Sequence, residues 1–361
     1  MAPAVAVAAA AAVPDRAEEV KRFNEMKTGV KGLVDAGVAK LPRIFVHPPE
    51  ILESKPPENE AVAELPTVDF GGRREVVVET IRRAASEWGF FRITNHGVPA
   101  EVTDGLLTAV RKFHEQPTEK KAALFSTDSR RRVRFNSNGF VLKENDFACW
   151  KDMLTCVYTD DFLDPEEIPP VCRREVGDYV RHMIRMRETL AELLSEGLGL
   201  ERQYLSNMEC MKSEALACLY YPVCPEPKKT LGTPKHSDTT FLTLLLQDVG
   251  GLQILHGGRW VDVPPVPGTL IANVGDLMQI ISNDKFVSVE HRVRAQAEGA
   301  RVSVACFFTP SVKAAGKVFA PVKELVSEEN PAVYREFFFR DYCEYYKTKG
   351  HNLSALSHYR I

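Results

Sequence analysis

The sequence lacks an excess of positive charge, because its 46 Lys and Arg residues are outnumbered by 49 Asp and Glu. A surface that binds nucleic-acid phosphates needs a clustered excess of basic residues, so we expect small molecules and not nucleic acid as partners. The eight cysteines include no C-x-x-C pair, which argues against a zinc ribbon or a secreted disulfide scaffold. No run of about 18 strongly apolar residues predicts a membrane span. These absences predict a soluble, cytoplasmic protein with reduced thiols, and we expect a monomer.

The composition that is present fits an ordinary globular protein, with 361 residues, 44% hydrophobic and 26% charged. Alanine dominates the opening of the chain, and we predict a disordered tail over residues 1–20. Residues 21–200 read as a mixed α/β region: the segment 89–98 has the β-branched and aromatic residues of a strand, and apolar spacing predicts a helix over about 175–196. We assign residues 201–361 to a third, β-rich part.

Short apolar runs separated by Pro and Gly recur after about residue 213. They are ALACLYY, FLTLLLQ, GLQIL, RWVDV, GTLIANV, LMQII, VSVEHRV and RVSVACFF. Short strands at this spacing favour a double-sheet jelly roll, and the segment after Asn330 and Pro331 predicts a closing helix. The expected fold is therefore mixed α/β dominated by β, with a jelly-roll core, an N-terminal region of helices and strands, and a C-terminal helix.

Three side chains in the β-rich part form a candidate metal site. His236 and Asp238 stand two residues apart, so in an extended strand they would project to the same side. His291 lies in another predicted strand. Two imidazoles and one carboxylate on one face of a metal are the ligands of non-haem Fe(II) oxygenases, and they leave coordination positions open. The alternative is that each histidine is an ordinary packed or surface residue.

Arg301 and Ser303 also stand two residues apart in a predicted strand and offer a guanidinium and a hydroxyl on one side. Arginine matches a carboxylate with two parallel hydrogen bonds, and serine supplies a further donor. The pair therefore suits the distal carboxylate of a dicarboxylic acid. A bidentate 2-oxo acid would fill two open metal positions and dioxygen the third.

These motifs, taken together, resemble plant 2-oxoglutarate- and Fe(II)-dependent dioxygenases over nearly the whole chain from about residue 20. The strings that carry the resemblance are LPTVDF (65–70), GFFRITNHGV (89–98), LYYPVCPEP (219–227), HSD (236–238), GGLQIL (250–255), WVDVPPVPGTLIANVGDLMQIISND (260–284), VEHRV (289–293) and RVSVACFF (301–308). The resemblance implies a double-stranded β-helix in which His236, Asp238 and His291 hold iron. It also implies that Arg301 and Ser303 bind the C5 carboxylate of 2-oxoglutarate.

Two further positions follow from the same resemblance. Tyr221 commonly bonds the C1 carboxylate of the cosubstrate in this family, and we expect the same role here. Leu219 stands where relatives often have Asn, so a polar donor beside the cosubstrate is missing. This departure predicts a changed cosubstrate or substrate pocket.

The implied activity is oxidation of a small molecule by Fe(II), 2-oxoglutarate and O2, with ascorbate as reductant and release of succinate and CO2. Hydroxylation is the usual outcome. Residues 23–50 resemble a branch that includes aminocyclopropanecarboxylate oxidase homologues and the grass benzoxazinoid-glucoside dioxygenase, which favours an aromatic specialised metabolite such as a benzoxazinoid glucoside. Apolar residues placed near the motifs are candidates for the substrate pocket, with core packing as the alternative: Phe135, Phe140, Leu219, Phe241 and Phe308.

Two other functions stay open at the level of sequence. An ascorbate-dependent enzyme of the aminocyclopropanecarboxylate oxidase type would keep the metal and need no 2-oxo acid. A jelly roll that binds a small molecule without redox chemistry would keep only the fold. The unbroken set of metal and carboxylate ligands argues against the second alternative.

Overall fold

The computed structural model describes residues 15–52, 64–138, 147–349 and 355–361. Its helices are α1 (Arg16–Met26), α2 (Gly29–Asp35), α3 (Pro49–Leu52), α4 (Arg74–Glu87), α5 (Ala100–His114), α6 (Thr118–Ala122), α7 (Arg173–Gly197), α8 (Tyr204–Asn207), α9 (Asp276–Ile281), α10 (Phe339–Lys349) and α11 (Ala355–Tyr359). Its strands are β1 (Thr67–Asp69), β2 (Phe90–Thr94), β3 (Val133–Asn136), β4 (Asp152–Tyr158), β5 (Ser213–Tyr221), β6 (Leu231–His236), β7 (Leu242–Gln247), β8 (Leu252–His256), β9 (Arg259–Asp262), β10 (Leu270–Val274), β11 (His291–Arg294), β12 (Arg301–Thr309), β13 (Val318–Phe319) and β14 (Phe337–Phe338). None of the helices in these ranges is long and apolar enough to cross a membrane.

Two sheets face each other and form the predicted jelly-roll core. The major sheet has eight strands in the order β1-β2-β10-β7-β12-β5-β4-β3, and the minor sheet has four in the order β6-β11-β8-β9. Only the β1–β2 pair among these neighbours is parallel. Because β1–β4 from the N-terminal region complete the major sheet, that region and the β-rich part share one core.

The central strands of the major sheet are buried on both faces. Along β12, Val302 and Phe308 pack into the large core formed with the helices, whereas Ala305 and Phe307 face the minor sheet. This division follows from the pleat of a strand, in which successive side chains point to opposite faces. Each central strand therefore serves both the helix-side core and the space between the sheets.

Helix α7 supports the helix-side face and agrees with the helix predicted over about 175–196. Its apolar stripe contributes the core residues Val176, Tyr179, Val180, Met183, Met186, Leu190, Leu193 and Leu194. The stripe repeats every three or four residues, as expected for a helix that covers a sheet. Residues far apart in the chain are thereby joined into one packed layer.

Three sequence predictions differ from the structure. Residues 1–14 lie outside the described residues, but the predicted disordered tail is wrong at its end, because Asp15 caps helix α1, which begins at Arg16. The run LMQII is not a strand: it lies in α9, and a short apolar run does not by itself distinguish the two. The C-terminal helix begins at Phe339 and not near Asn330, since Phe337–Phe338 pair with β13 as β14.

Candidate active site

His236, Asp238 and His291 converge at the edge of the minor sheet. His236 ends β6, His291 begins β11, and the two residues are direct partners in the antiparallel pair. Asp238 lies just after β6, so a loop and not a continued strand carries it there. Its Oδ1 is 3.6 Å from Nε2 of His236 and 3.7 Å from Nε2 of His291. The three ligand atoms all lie within 4.8 Å of one another.

Backbone carbonyls fix the orientation of both imidazoles. Nδ1 of His236 is 2.8 Å from the carbonyl of Pro234, and Nδ1 of His291 is 3.2 Å from that of Val289. A carbonyl can only accept, so each Nδ1 is the donor and each Nε2 keeps its lone pair for a metal. The two lone pairs face the same carboxylate oxygen.

The two oxygens of the Asp238 carboxylate have different partners. Its Oδ2 accepts hydrogen bonds from the Thr243 hydroxyl at 2.7 Å and the Asn273 amide at 2.8 Å, which leaves Oδ1 facing the histidines. Burial opposes ionisation, but the neighbouring imidazoles of His291 and His236 and the two hydrogen bonds hold the pKa of Asp238 below its usual value. Within the described ranges no fourth His, Cys, Asp or Glu joins this cluster. The donor set therefore fits Fe(II) with open coordination positions.

A buried carboxylate ties the loop that carries Asp238 to the C-terminal helix. Asp276, fully buried at the start of α9, accepts hydrogen bonds on Oδ2 from Ser237 at 3.1 Å and from Tyr342 of α10 at 2.8 Å. Its backbone N–H donates to the carbonyl of Asp238 at 2.8 Å. The loop is thus held from two directions.

Arg301 lies at another part of the same cavity and is 1% exposed. Its Nη1 donates to the Ser303 hydroxyl at 2.7 Å and its Nη2 to Oε1 of Gln247 at 2.8 Å. Burial lowers the pKa of Arg301 from its ordinary value, yet guanidinium stays charged at any physiological pH. A buried cation lined up with a hydroxyl provides the partners for a carboxylate.

Tyr221 accompanies Arg301. It is the register partner of Arg301 across β5 and β12, and the guanidinium lies over its ring at 4.8 Å. The Tyr221 hydroxyl is 3.3 Å from the Thr233 hydroxyl. The Tyr221 ring and the Arg301 guanidinium therefore occupy the same part of the cavity, and a bond from Tyr221 to the C1 carboxylate of the cosubstrate stays a prediction.

The cavity between the sheets has a volume of about 120 Å³. Its walls include the metal-site residues, Arg301, Ser303, Tyr221 and Lys151, and the apolar side chains Phe90, Met153, Ala217, Leu219, Leu245, Leu252, Val293, Ala305 and Phe307. Predicted metal and carboxylate ligands from four strands and one loop therefore open into one space.

The predicted substrate residues separate into two groups. Leu219 lines the cavity between the Met153 and Ser303 register partners. Phe135, Phe241 and Phe308 do not line it: all three are fully buried in the helix-side core, and Phe140 lies outside the described residues. For Phe308 the reason is strand alternation, which turns it away from the face that holds Arg301 and Ser303.

Sequence reasoning missed Phe307, Phe90 and Lys151 as cavity residues. The sequence pattern could have predicted Phe307, since it continues the two-residue spacing that starts at Arg301 and Ser303. Phe90 and Lys151 precede or begin strands, and no local pattern shows which sheet face they reach. Thr243 and Asn273, which position Asp238, likewise carry no sequence signal of that role.

Comparisons with known proteins cover both halves of the chain. The profile of the 2OG-Fe(II) oxygenase superfamily matches residues 212–310, and that of the non-haem dioxygenase in morphine synthesis N-terminal matches residues 65–171. Two Arabidopsis thaliana relatives are 1-aminocyclopropane-1-carboxylate oxidase homolog 1, 46% identical over 93% of this chain and 94% of that protein, and homolog 3, 47% identical over 96% and 97%.

Solved structures agree. The crystal structure of JOX2 in complex with 2OG, Fe, and JA has a TM-score of 0.82 and 28% identity, covering 92% of this chain and 97% of that one. The rice dioxygenase for auxin oxidation has a TM-score of 0.69 and 25% identity, covering 82% and 100%. Joined to the site geometry, relatives this similar over almost the full length show that the chain belongs to the plant 2OG-Fe(II) oxygenase family and is an oxidoreductase.

Proposed function

We propose that this enzyme uses Fe(II), 2-oxoglutarate and O2 to oxidise a small organic substrate, by default through hydroxylation, with release of succinate and CO2. One observation carries the proposal: one ligand atom from each of His236, Asp238 and His291 lies within 4.8 Å of the other two, in a cavity that also contains Arg301. A structural zinc site would close its shell with a fourth protein ligand.

Each predicted ligand has a role in this proposal. His236, Asp238 and His291 would hold Fe(II), and Arg301 and Ser303 would bind the C5 carboxylate of 2-oxoglutarate. The bound iron, with 2-oxoglutarate and O2, supplies the oxidising chemistry that removes hydrogen from an unactivated carbon.

The protein supplies orientation and exclusion of water. Thr243 and Asn273 hold Oδ2 of Asp238, so that its other oxygen keeps one direction. The guanidinium of Arg301, fixed by Ser303 and Gln247, defines where a dicarboxylate would end. Apolar walls around the histidines favour a dry site, in which the position of the substrate carbon decides what is oxidised.

For the substrate we propose an aromatic plant specialised metabolite. Support comes from the two phenylalanines in the cavity wall, Phe90 and Phe307, and from the resemblance of residues 23–50 to the branch that contains the benzoxazinoid-glucoside dioxygenase. A benzoxazinoid glucoside is therefore one member of the test panel, beside the JA and auxin named for the two structural neighbours.

The test measures coupling between substrate oxidation and succinate. Protein is incubated with Fe(II), 2-oxoglutarate, ascorbate as reductant and a plant metabolite extract, and mass spectrometry follows both products. We expect a substrate mass gain of one oxygen atom with a matching amount of succinate. Ascorbate-dependent turnover of aminocyclopropanecarboxylate without succinate would favour the alternative enzyme, and no iron-dependent O2 uptake would contradict an oxygenase.

We also propose that the protein is a cytoplasmic monomer. All eight cysteines lie in the described ranges, none forms a disulfide, and seven of them are buried, as expected in a reducing compartment. Light scattering after size-exclusion chromatography tests the oligomeric state, since a dimer would have twice the 40.4 kDa mass of the chain. Fluorescent fusion in plant cells tests the compartment.

A further inference from the structure

Lys151 is a cation in the cavity that the iron and 2-oxoglutarate roles leave unused. It immediately precedes β4, and because Asp152 pairs with Tyr220, Lys151 stands in line with Tyr221 on the cavity face. Its Nζ reaches across to the minor sheet and donates to the Thr233 hydroxyl at 2.9 Å. An ammonium group has three donors, and this contact uses one.

The neighbouring acid does not pair with it. Oδ1 of Asp152 accepts from the backbone N–H of Val30 at 2.7 Å and from the Ser137 hydroxyl at 2.6 Å, and Oδ2 accepts from the N–H of Lys31 at 2.8 Å. Among the residues that the structure describes, no carboxylate lies within 4.0 Å of Nζ of Lys151. The ammonium has a neutral hydroxyl as its protein partner.

Charges in the loaded site indicate what the ammonium is for. On the proposed function, which this step rests on, ferrous iron and Arg301 bring three positive charges, and Asp238 and 2-oxoglutarate bring three negative charges. These cancel, so Lys151 adds one positive charge that the machinery does not balance. A charge in a partly buried cavity without a counter-charge is unfavourable, and a substrate anion would remove that cost.

We propose that Lys151 binds an anionic group of the prime substrate, so that the substrate is an organic acid with an apolar body. The apolar body has its own wall, since Met153 and Leu219 follow Lys151 and Tyr221 in the register of β4 and β5, and Phe307 lies on the same face. An uncharged glucoside would satisfy this wall but leave the ammonium unpaired. The inference therefore ranks acids above neutral glucosides in the substrate panel.

The experiment compares acids with their methyl esters, which share an apolar body and differ in charge. Phenylacetate, indole-3-acetate and octanoate, each with its ester, are titrated calorimetrically into the anaerobic complex of the protein with Fe(II) and 2-oxoglutarate. For at least one pair the wild type binds the acid roughly tenfold or more tightly, as expected for a charge-assisted hydrogen bond. Lys151→Met removes this preference and Lys151→Arg restores most of it. Lys285→Met, at an exposed lysine outside the cavity, keeps it.

Other results overturn the inference. No acid preferred over its ester in the wild type, or an equal preference in Lys151→Met, shows that Lys151 does not bind a substrate anion. Weaker 2-oxoglutarate binding in Lys151→Met with an unchanged acid preference assigns the ammonium to the cosubstrate instead. Iron and 2-oxoglutarate binding are measured first, because their failure in the wild type removes the proposed function itself, whereas their success isolates the test of Lys151.

Discussion

The two faces of the major sheet are built from the same strands and differ in what they bury. Along β12, Val302, Val304, Cys306 and Phe308 enter the helix-side core, which also takes the apolar stripe of α7. The cavity face of that strand carries Arg301, Ser303, Ala305 and Phe307. Residues that are adjacent in sequence therefore lie in different environments. The effect of a substitution depends on which face of the sheet the side chain occupies more than on its position in the chain.

The difference is also one of polar content. The cavity face buries Arg301, Asp238 and Asn273, each held by hydrogen bonds and aimed into a shared space. The helix-side face also buries charged groups, but these are bound within the protein: Nη1 of Arg187 and Oε2 of Glu214 are 3.0 Å apart, and Asp152 accepts three hydrogen bonds. Burying polar groups lowers the free energy of unfolding. On the cavity face these groups are the ones that the proposed function uses.

The largest expected difference between the two faces is at the metal site, where a substitution should remove activity and not stability. His236→Ala removes one of three candidate ligands, and we expect turnover to fall by about a thousandfold or more, the scale at which loss of one essential group acts. Iron binding should fail in the same variant, while urea denaturation of the metal-free protein changes little. Lys235→Met, on the same strand and half exposed, is the matched control and keeps activity. Equal activity in both variants would refute the site.

Adjacent phenylalanines separate the two faces most directly. Phe308 is fully buried in the helix-side core, so Phe308→Ala should lower the free energy of unfolding by about 3–5 kcal/mol, the usual cost of such a cavity. Phe307 is partly exposed to the cavity, and Phe307→Ala should cost less stability and raise KM for the prime substrate. Urea denaturation and steady-state kinetics measure the pair. If Phe307→Ala instead gave the larger loss of stability and Phe308→Ala raised KM, the two side chains would lie on the opposite faces of the sheet.

Local pattern predicted those parts of the fold that alternation or helical spacing specifies. It identified β5, β7, β10 and β12, because each is a short apolar run ended by turn residues, and α7, because its stripe is long. It failed where both faces are buried. Phe308 was expected in the substrate pocket since a strand that is apolar on both sides does not by itself indicate which residues face which layer.

The candidate site was predictable as a set of residue types and not as a geometry. The spacing of His236 and Asp238 indicated a metal site. The contact of His236 with His291, however, depends on the register of β6 and β11, which is a long-range pairing. The grouping of Tyr221 with Arg301 likewise follows from the β5–β12 register. Such contacts require the assembled sheets.

A third prediction tests the carboxylate end of the cavity face. Arg301→Ala should raise KM for 2-oxoglutarate by about 10–100-fold, because a charge-assisted pair with a carboxylate is lost, while iron binding stays. Arg301→Lys should give an intermediate value, since lysine keeps the charge without the planar pair of donors. Kinetics at saturating iron provide the KM, and titration with Fe(II) provides the control. An unchanged KM in the alanine variant would remove Arg301 from cosubstrate binding.

A pH dependence of stability is expected from the buried pair of Arg187 and Glu214 on the helix-side face. Burial raises the pKa of Glu214 to about 8, and the nearby Arg187 opposes that shift only in part. Between about pH 5 and 8 the native protein therefore holds a proton that the unfolded chain has released, so stability falls as pH rises through this window, by up to about 1.4 kcal/mol per pH unit. Glu214→Gln removes the titrating group, and its urea midpoint should change less with pH than that of the wild type. A wild-type midpoint that changes across this window no more than that of Glu214→Gln would mean that Arg187 dominates, and that even this face holds its carboxylate ionised, as the cavity face does with Asp238.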